Sequence, residues 1–340
     1  MNNKPCEWKV YFDGGFYDRR GTGRAGTEVK VKKDFSWNGH EWYIPAVYVC
    51  GKGLVMDVCI KVEPEVISAY YEKWGLAEGR LETLSKEEQR LAWQENPLDV
   101  EFQLKLQINS RLQENWSGSG ANWVPERCLF GEMENTEEAM EFVEHYDLDK
   151  TKGWAFHRVS IPWGTKTKPM LRTLLLQLEP RRVPVPGPRF ITPKVGESIS
   201  FLHPIKGTTH NLTVHEFQRA RFPSERLSEE EYEFPENYYQ MIYTIQPDIP
   251  TKEYTVKDVC DNDTPKRKES SPYSGAASIG IIGGGCGPTA VFIAEKGTTE
   301  MARVTCSAFR FEPAETVEWE MIFHRKPCEN LQVELLKGKG

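Results

Sequence analysis

The chain has no Cys-x-x-Cys pair, no Gly-x-Ser-x-Gly, no Ser-x-x-Lys and no His-Glu-x-x-His. The first absence removes the spacing that builds a zinc cage, and the other three remove the local signatures of hydrolase elbows, acylating serines and zinc peptidases. Basic residues are also thinly spread. The dense basic run is Lys266-Arg267-Lys268, and 43 Lys and Arg against 50 Asp and Glu leave a net charge of -7. A nucleic-acid surface, which needs a basic face or stripe, is therefore not expected. Long hydrophobic runs are missing too. The N-terminus, Met1 to Trp8, lacks the apolar centre of a secretory signal, and the longest uncharged stretch, residues 270–294, is diluted by Gly, Pro, Ser and Thr. A spanning helix needs about 20 predominantly apolar residues, so no membrane insertion is expected and the cytoplasm is the simplest compartment. A mature secreted form is the alternative, in which the even count of cysteines (Cys6, Cys50, Cys59, Cys128, Cys260, Cys286, Cys306, Cys328) would matter.

What is present is a succession of short alternating or β-branched segments. They run over 8–12, 27–33, 42–50, 54–62, 100–108, 155–161 and 171–178, and again over 189–192, 198–202, 211–218, 238–246, 303–311, 316–324 and 331–336. Their period of two predicts strands. In 100–108, Val100, Phe102, Leu104, Leu106 and Ile108 alternate with Glu101, Gln103, Lys105 and Gln107, the pattern of a strand with one wet face. Helices are a minority. Pro64 to Trp74 opens on a proline, Ser85 to Glu95 on a Ser-x-x-Glu capping box, and Thr136 to His145 on a threonine followed by acids.

Residues 181–188, with Pro184, Pro186 and Pro188, read as a stiff linker between domains. The predicted architecture is mainly β: two tandem antiparallel β-sandwich-like domains, 1–180 with a helical insertion at about 64–146, and 189–340. A faint internal repeat, Phe156-His157-Arg158 against Phe323-His324-Arg325, suggests that the two are duplicates. Polar stretches at 224–237 and 258–274 predict mobile loops.

The most distinctive segment is residues 278–294, in which Gly283, Gly284, Gly285 and Gly287 surround Cys286 between two apolar runs. Such glycines predict a sharp turn or a close backbone approach. Its residues resemble the Ile-Gly-Ile-Ile-Gly-Gly-Ala-Asp-Gly-Pro-Thr motif of sodium-translocating carboxylate decarboxylase β subunits, with Pro288 and Thr289 completing the match. The resemblance implies an ion path in that family, where the acidic residue of the motif supplies a carboxylate for sodium. Cys286 takes that place here, and a thiol is a poor ligand for a hard cation. An ion pump is therefore not expected, and an accessory role in carboxylate decarboxylation rests on the motif alone.

Two dinucleotide-like glycine patterns lack their context. Gly283 and Gly285 are followed by Pro288 in the third glycine's place, and a ribose-binding acid at Glu312 would leave too little chain for a doubly wound sheet. Gly21, Gly23 and Gly26 precede an alternating strand rather than a helix and predict a hairpin loop. No cofactor and no metal are expected.

The candidate site residues are thus Gly283, Gly284, Gly285, Cys286, Gly287 and Thr289, as an anion-favouring turn with a reactive thiol, and Trp116 with Trp123 in a Gly/Ser loop. Exposed indoles there would stack on a sugar or a partner; the alternative is that both cap the β core. His203, His210 and His215 are close in sequence but diverge on a strand, and Glu312, Glu315, Glu318 and Glu320 read as a solvated face. These patterns lean away from an enzyme. They favour a binding or scaffolding protein for a small molecule or protein partner, with a carbohydrate-binding module and a Cys286 enzyme as rivals.

Overall fold

In the computed structural model, the described residues are 8–16, 23–131, 133–165, 167–222, 232–267 and 302–338. The glycine-rich segment 278–294, with Gly283, Gly284, Gly285, Cys286, Gly287 and Thr289, lies outside them. Among the described residues the protein is mainly β, and its sheets are antiparallel. The chain forms two units, 1–181 with 327–340, and 182–326.

The first unit begins with strands β1 (Thr27–Trp37), β2 (His40–Val49) and β3 (Gly53–Val62), joined by tight turns. The β1–β2 turn is Asn38-Gly39, both at positive φ, the geometry that lets a two-residue loop follow the twist of the strands. Helix α1 (Pro64–Trp74) follows, starting on its proline and ending at Gly75 in the left-handed region. Helix α2 (Lys86–Gln94) carries the expected capping box, with Ser85 and Glu88 exchanging bonds. Next come β4 (Phe102–Ile108), β5 (Arg111–Gln113) and β6 (Ser117–Trp123), then α3 (Glu137–His145), capped by Thr136. β7 (Gly153–Pro162) and β8 (Leu174–Pro180) complete the N-terminal part.

The strands pair as β1-β2-β3-β7-β6 in one sheet and β18-β8-β4-β5 in the other, where β18 is Leu331–Leu336. Ile44, Met56, Val58, Ala155 and Val159 of the first sheet meet Leu104, Leu106, Leu176, Leu178 and Val333 of the second in one apolar core. Segment 64–146 is therefore more than a helical insertion, because β4 and β5 enter one sheet and β6 the other.

The second unit comprises β9 (Val183–Ile191), β10 (Ser198–Leu202), β11 (Thr209–Arg221), β12 (Tyr232–Glu233), β13 (Asn237–Gln246), β14 (Tyr254–Asp258), β15 (Lys266–Arg267), β16 (Arg303–Cys306) and β17 (Glu318–Arg325). Its sheets are β10-β11-β13-β16 and β14-β17-β9, with a short β12-β15 ribbon. Phe201, Val214, Met241 and Tyr243 of one sheet pack on Val256, Trp319, Met321 and Phe323 of the other.

Several expectations are corrected. Residues 183–191 form a strand, not a linker. Pro184 and Pro186 alternate, so their missing N–H groups fall on one side, Pro188 lies in the register shift that follows, and β9 is an edge strand with a partner on one side only. The C-terminal strand belongs to the first unit, because Leu331 to Leu336 pair with β8 and extend its sheet. Residues 8–12 join no ladder. Val10 instead packs on the sheet face against Ala46, Tyr48 and Val55. The predicted strand 303–311 stops at Cys306, and parts of the two predicted polar loops form the β12-β15 ribbon. The tripeptide repeat has no structural counterpart: Phe156 faces α3 on the outside of its sandwich, whereas Phe323 lies between the sheets of the other.

Among the described residues, no helix is long and apolar enough to cross a membrane.

Candidate functional site

β3 is buried along almost its whole length, on both faces. Leu54, Met56, Val58 and Ile60 enter the inter-sheet core, while Val55, Asp57 and Cys59 face the opposite side. A second layer must cover that outer face, and it consists of α3 and the N-terminal segment 8–16. Trp8, Phe16, Ala139, Phe142, Val143 and Phe156 form its apolar cluster.

Within this layer lies the most concentrated polar chemistry of the unit. The antiparallel register sets Asp57 of β3 opposite Arg158 of β7. Both are buried, Asp57 completely and Arg158 to 6% exposure. The guanidinium grips the carboxylate with two parallel bonds, Nε to Oδ1 at 2.8 Å and Nη2 to Oδ2 at 2.9 Å. Tyr146, just past α3, donates its hydroxyl to Asp57 Oδ2 at 2.6 Å. The Tyr48 hydroxyl lies 2.5 Å from that of Tyr146, and Trp8 Nε1 donates to Tyr48 at 2.8 Å.

An indole N–H can only donate and an ionised carboxylate can only accept. The protons therefore run one way, from Trp8 to Tyr48 to Tyr146 to Asp57. Burial, followed by the charge of Asp57, pushes both tyrosine hydroxyls above the ordinary phenol range. Groups held so far from neutral pH are not poised for acid–base catalysis.

The rest of the shell is aromatic. Arg158 lies 4.8 Å from the Phe16 ring centroid, 5.1 Å from that of Trp8 and 5.9 Å from that of Phe142. The His145 ring stacks on Trp8 at 4.2 Å, and its pKa is lowered by burial, against an opposing pull from Glu28. The N-terminal segment is fastened by Ser160 Oγ to the Phe12 carbonyl at 2.8 Å, by the Phe16 amide to Ser119 Oγ at 3.0 Å and by a Lys52–Asp13 pair at 2.6 Å. Its close passage requires Gly15, where a Cβ would come within 2.8 Å of Ser119 Oγ.

The same geometry decides the Trp116–Trp123 hypothesis. The Gly/Ser stretch is not a loop but the edge strand β6, paired to β7 with Ser119 opposite Arg158. Trp123 is buried in the outer cluster and donates Nε1 to the Lys150 carbonyl at 3.2 Å. Trp116 is 40% exposed at the start of the strand, its ring lying along Gly118. The two indoles therefore make no common stacking platform, and Trp116 alone faces solvent.

The histidines do not converge either. Within the second unit, His210 Nδ1 faces the Pro247 carbonyl at 2.7 Å and its Nε2 faces Thr208 Oγ1 at 2.7 Å, while His215 bonds Thr244 across the sheet. His203 Nδ1 accepts from the amides of Ile205 and Lys206, which fixes the proton on Nε2, against the Phe323 ring. No group of three His, Cys, Asp or Glu side chains forms a metal-sized cluster among the described residues. Glu318 and Glu320 alternate on β17, and Glu320 pairs with Arg189 and Lys257. Burial raises the pKa of Cys50 and Cys59, so neither thiol is activated.

Sequence reasoning missed the Asp57–Arg158 hub. The available signal was an acid inside the apolar run Leu54–Ile60, a placement that calls for a buried cation.

No family model matches the chain, and no curated protein does. Among solved structures it is similar to "the conserved domain protein from Bacillus anthracis", at 9% identity over 94% of this chain and 96% of that one. The TM-score of 0.21 is too low to support any statement about shared fold.

Proposed function

We propose that this is a binding or scaffolding protein rather than an enzyme. The observation that carries the reading is the use made of buried charge. Asp57 and Arg158 are consumed in clamping α3 and the N-terminal segment to a sheet, and Asp258 accepts from Arg310 and two backbone amides. These are fixed, mutually satisfied groups that hold layers together, and none of them is an acid–base pair poised for turnover. Exposed Trp116, immediately before a strand of small residues, is the natural contact for a ligand or protein.

Full-length protein and Trp116→Ala used as baits, with quantitative mass spectrometry of what each retains, test this reading. The expected result is a protein or small molecule held by the wild type and lost from Trp116→Ala at unchanged melting temperature. Identical retention by both, or turnover in a screen of hydrolase and transferase substrates, would overturn it.

A further inference from the structure

The edges of a β-sheet are templates for pairing with other chains, and proteins blunt them with proline, charge, bulges or covering elements. Among the described residues most edges here are blunted. β9 carries Pro184, Pro186 and Pro188. β1 carries Lys30, Lys32 and Lys33 and a register shift between Lys30 and Lys33. β18 is broken by a shift between Glu334 and Leu336, β5 is only three residues long, and β6 has α3 packed beside it. β14 and β16 close on each other through Thr305 Oγ1 and the Val256 carbonyl at 2.7 Å.

β10 is different. Its five residues, Ser198-Ile199-Ser200-Phe201-Leu202, contain neither charge nor proline, and their register against β11 runs without a break. The direction of its hydrogen bonds can be assigned. The His203 amide donates to Thr208 and Glu197 accepts from Val214, so odd-numbered residues pair inward and Ser198, Ser200 and Leu202 turn their N–H and C=O groups to the open side. Three exposed apolar side chains lie at the same place, Val195 at 60% exposure, Leu202 at 61% and Ile205 at 40%, all on β10 or the turns flanking it; Val183 and Ile191, on β9, are the unit's other exposed large apolar residues among those described.

We infer that β10 is a homodimerisation edge, pairing antiparallel with β10 of a second copy about a two-fold axis at Ser200. The strand is close to self-complementary about that residue. Ile199 falls opposite the partner copy's Phe201 position and Ser198 opposite the Leu202 position, and the exposed Val195 and Ile205, in the turns at either end of the strand, are equally far from Ser200 in sequence. All the outward N–H and C=O groups of Ser198, Ser200 and Leu202 then find partners. A foreign strand would use the same groups, but β10 offers it no charge to fix direction or register, whereas self-pairing is fixed by symmetry. This inference is independent of what Trp116 contacts.

Sedimentation velocity of the full-length chain from low to high micromolar concentration tests it, together with Ser200→Pro and Leu202→Lys. Both substitutions are at exposed positions, and the Ser200 amide that proline removes points away from β11. The expected result is a concentration-dependent shift from a 39.1 kDa monomer to a dimer, weakened at least about tenfold in each variant at unchanged melting temperature. The Ser200 amide should also gain hydrogen-exchange protection as wild-type concentration rises. A wild type that stays monomeric throughout, or a dimer equally stable in a folded variant, overturns the inference; Leu202→Lys decides if Ser200→Pro fails to fold.

Discussion

Replacing Arg158 with methionine removes the guanidinium that lies over Phe16 and Phe142 and, with it, two of the three donors to the Asp57 carboxylate. The carboxylate is completely buried, so water cannot replace them without opening the layer. Breaking a buried ion pair from one side costs about 3–5 kcal/mol, because the surviving charge is left uncompensated. Tyr146→Phe removes a single charge-assisted bond and should cost less, about 1.5–3 kcal/mol. The triple variant Asp57→Leu, Tyr146→Phe, Arg158→Met removes the charge along with its partners and should recover most of the loss seen in Arg158→Met. Urea unfolding followed by tryptophan fluorescence reads the right unit, since every tryptophan except Trp319 lies in the first. Equal losses for Arg158→Met and Tyr146→Phe, or a triple variant whose loss equals the sum of its single ones, would refute the view that buried charge governs this site.

Two further outcomes follow from the packing. Burial holds His157 and His203 below the ordinary imidazole pKa, so the unfolded chain takes up protons below about 6.5 while the folded one does not. Stability should therefore be complete above that value and fall as pH drops toward 5, and denaturant midpoints across this range should show a shallower slope in His157→Leu. Gly53→Ala would place a Cβ 2.3 Å from the Ile161 carbonyl and 2.1 Å from Phe12, so it should lower stability by about 1–3 kcal/mol and loosen residues 8–16 to limited proteolysis, with unchanged cleavage counting against the packing.

Much of the fold was legible because local chemistry and tertiary burial agree. The alternation in 100–108 survives as β4, with Leu104, Leu106 and Ile108 buried, and the Ser85 capping box and Thr136 cap mark α2 and α3 as read. Failures occurred where a long-range contact overrode a local rule. Residues 117–123 look like a Gly/Ser loop, yet they pair with β7, because small residues there leave room for Trp116 and the N-terminal segment. The proline series 184–188 looks like a linker, yet Pro184 and Pro186 alternate on an edge and Pro188 falls in a register shift, so the strand still forms. Pro45 lies in the interior strand β2, where a missing donor is costly. The ladders on both sides shift register around it, and that accommodation has no local sequence signal.

The candidate site was the least legible part, for a reason that is physical. Asp57 and Arg158 are separated by 101 residues, and each alone reads as a polar residue in an apolar strand. Only the β3–β7 register makes them a pair, and only α3 and segment 8–16 supply the aromatic cover that makes the pair buried. Sequence could have flagged each as a buried charge in need of a partner, because desolvation forbids either from standing alone. It could not have named the partner, since pairing depends on a register set by the whole sheet. The tryptophan motif failed in the opposite sense: Trp116 and Trp123 are close in sequence, but their side chains end in different environments. Proximity along the chain thus overstated one site, and distance along it concealed the other.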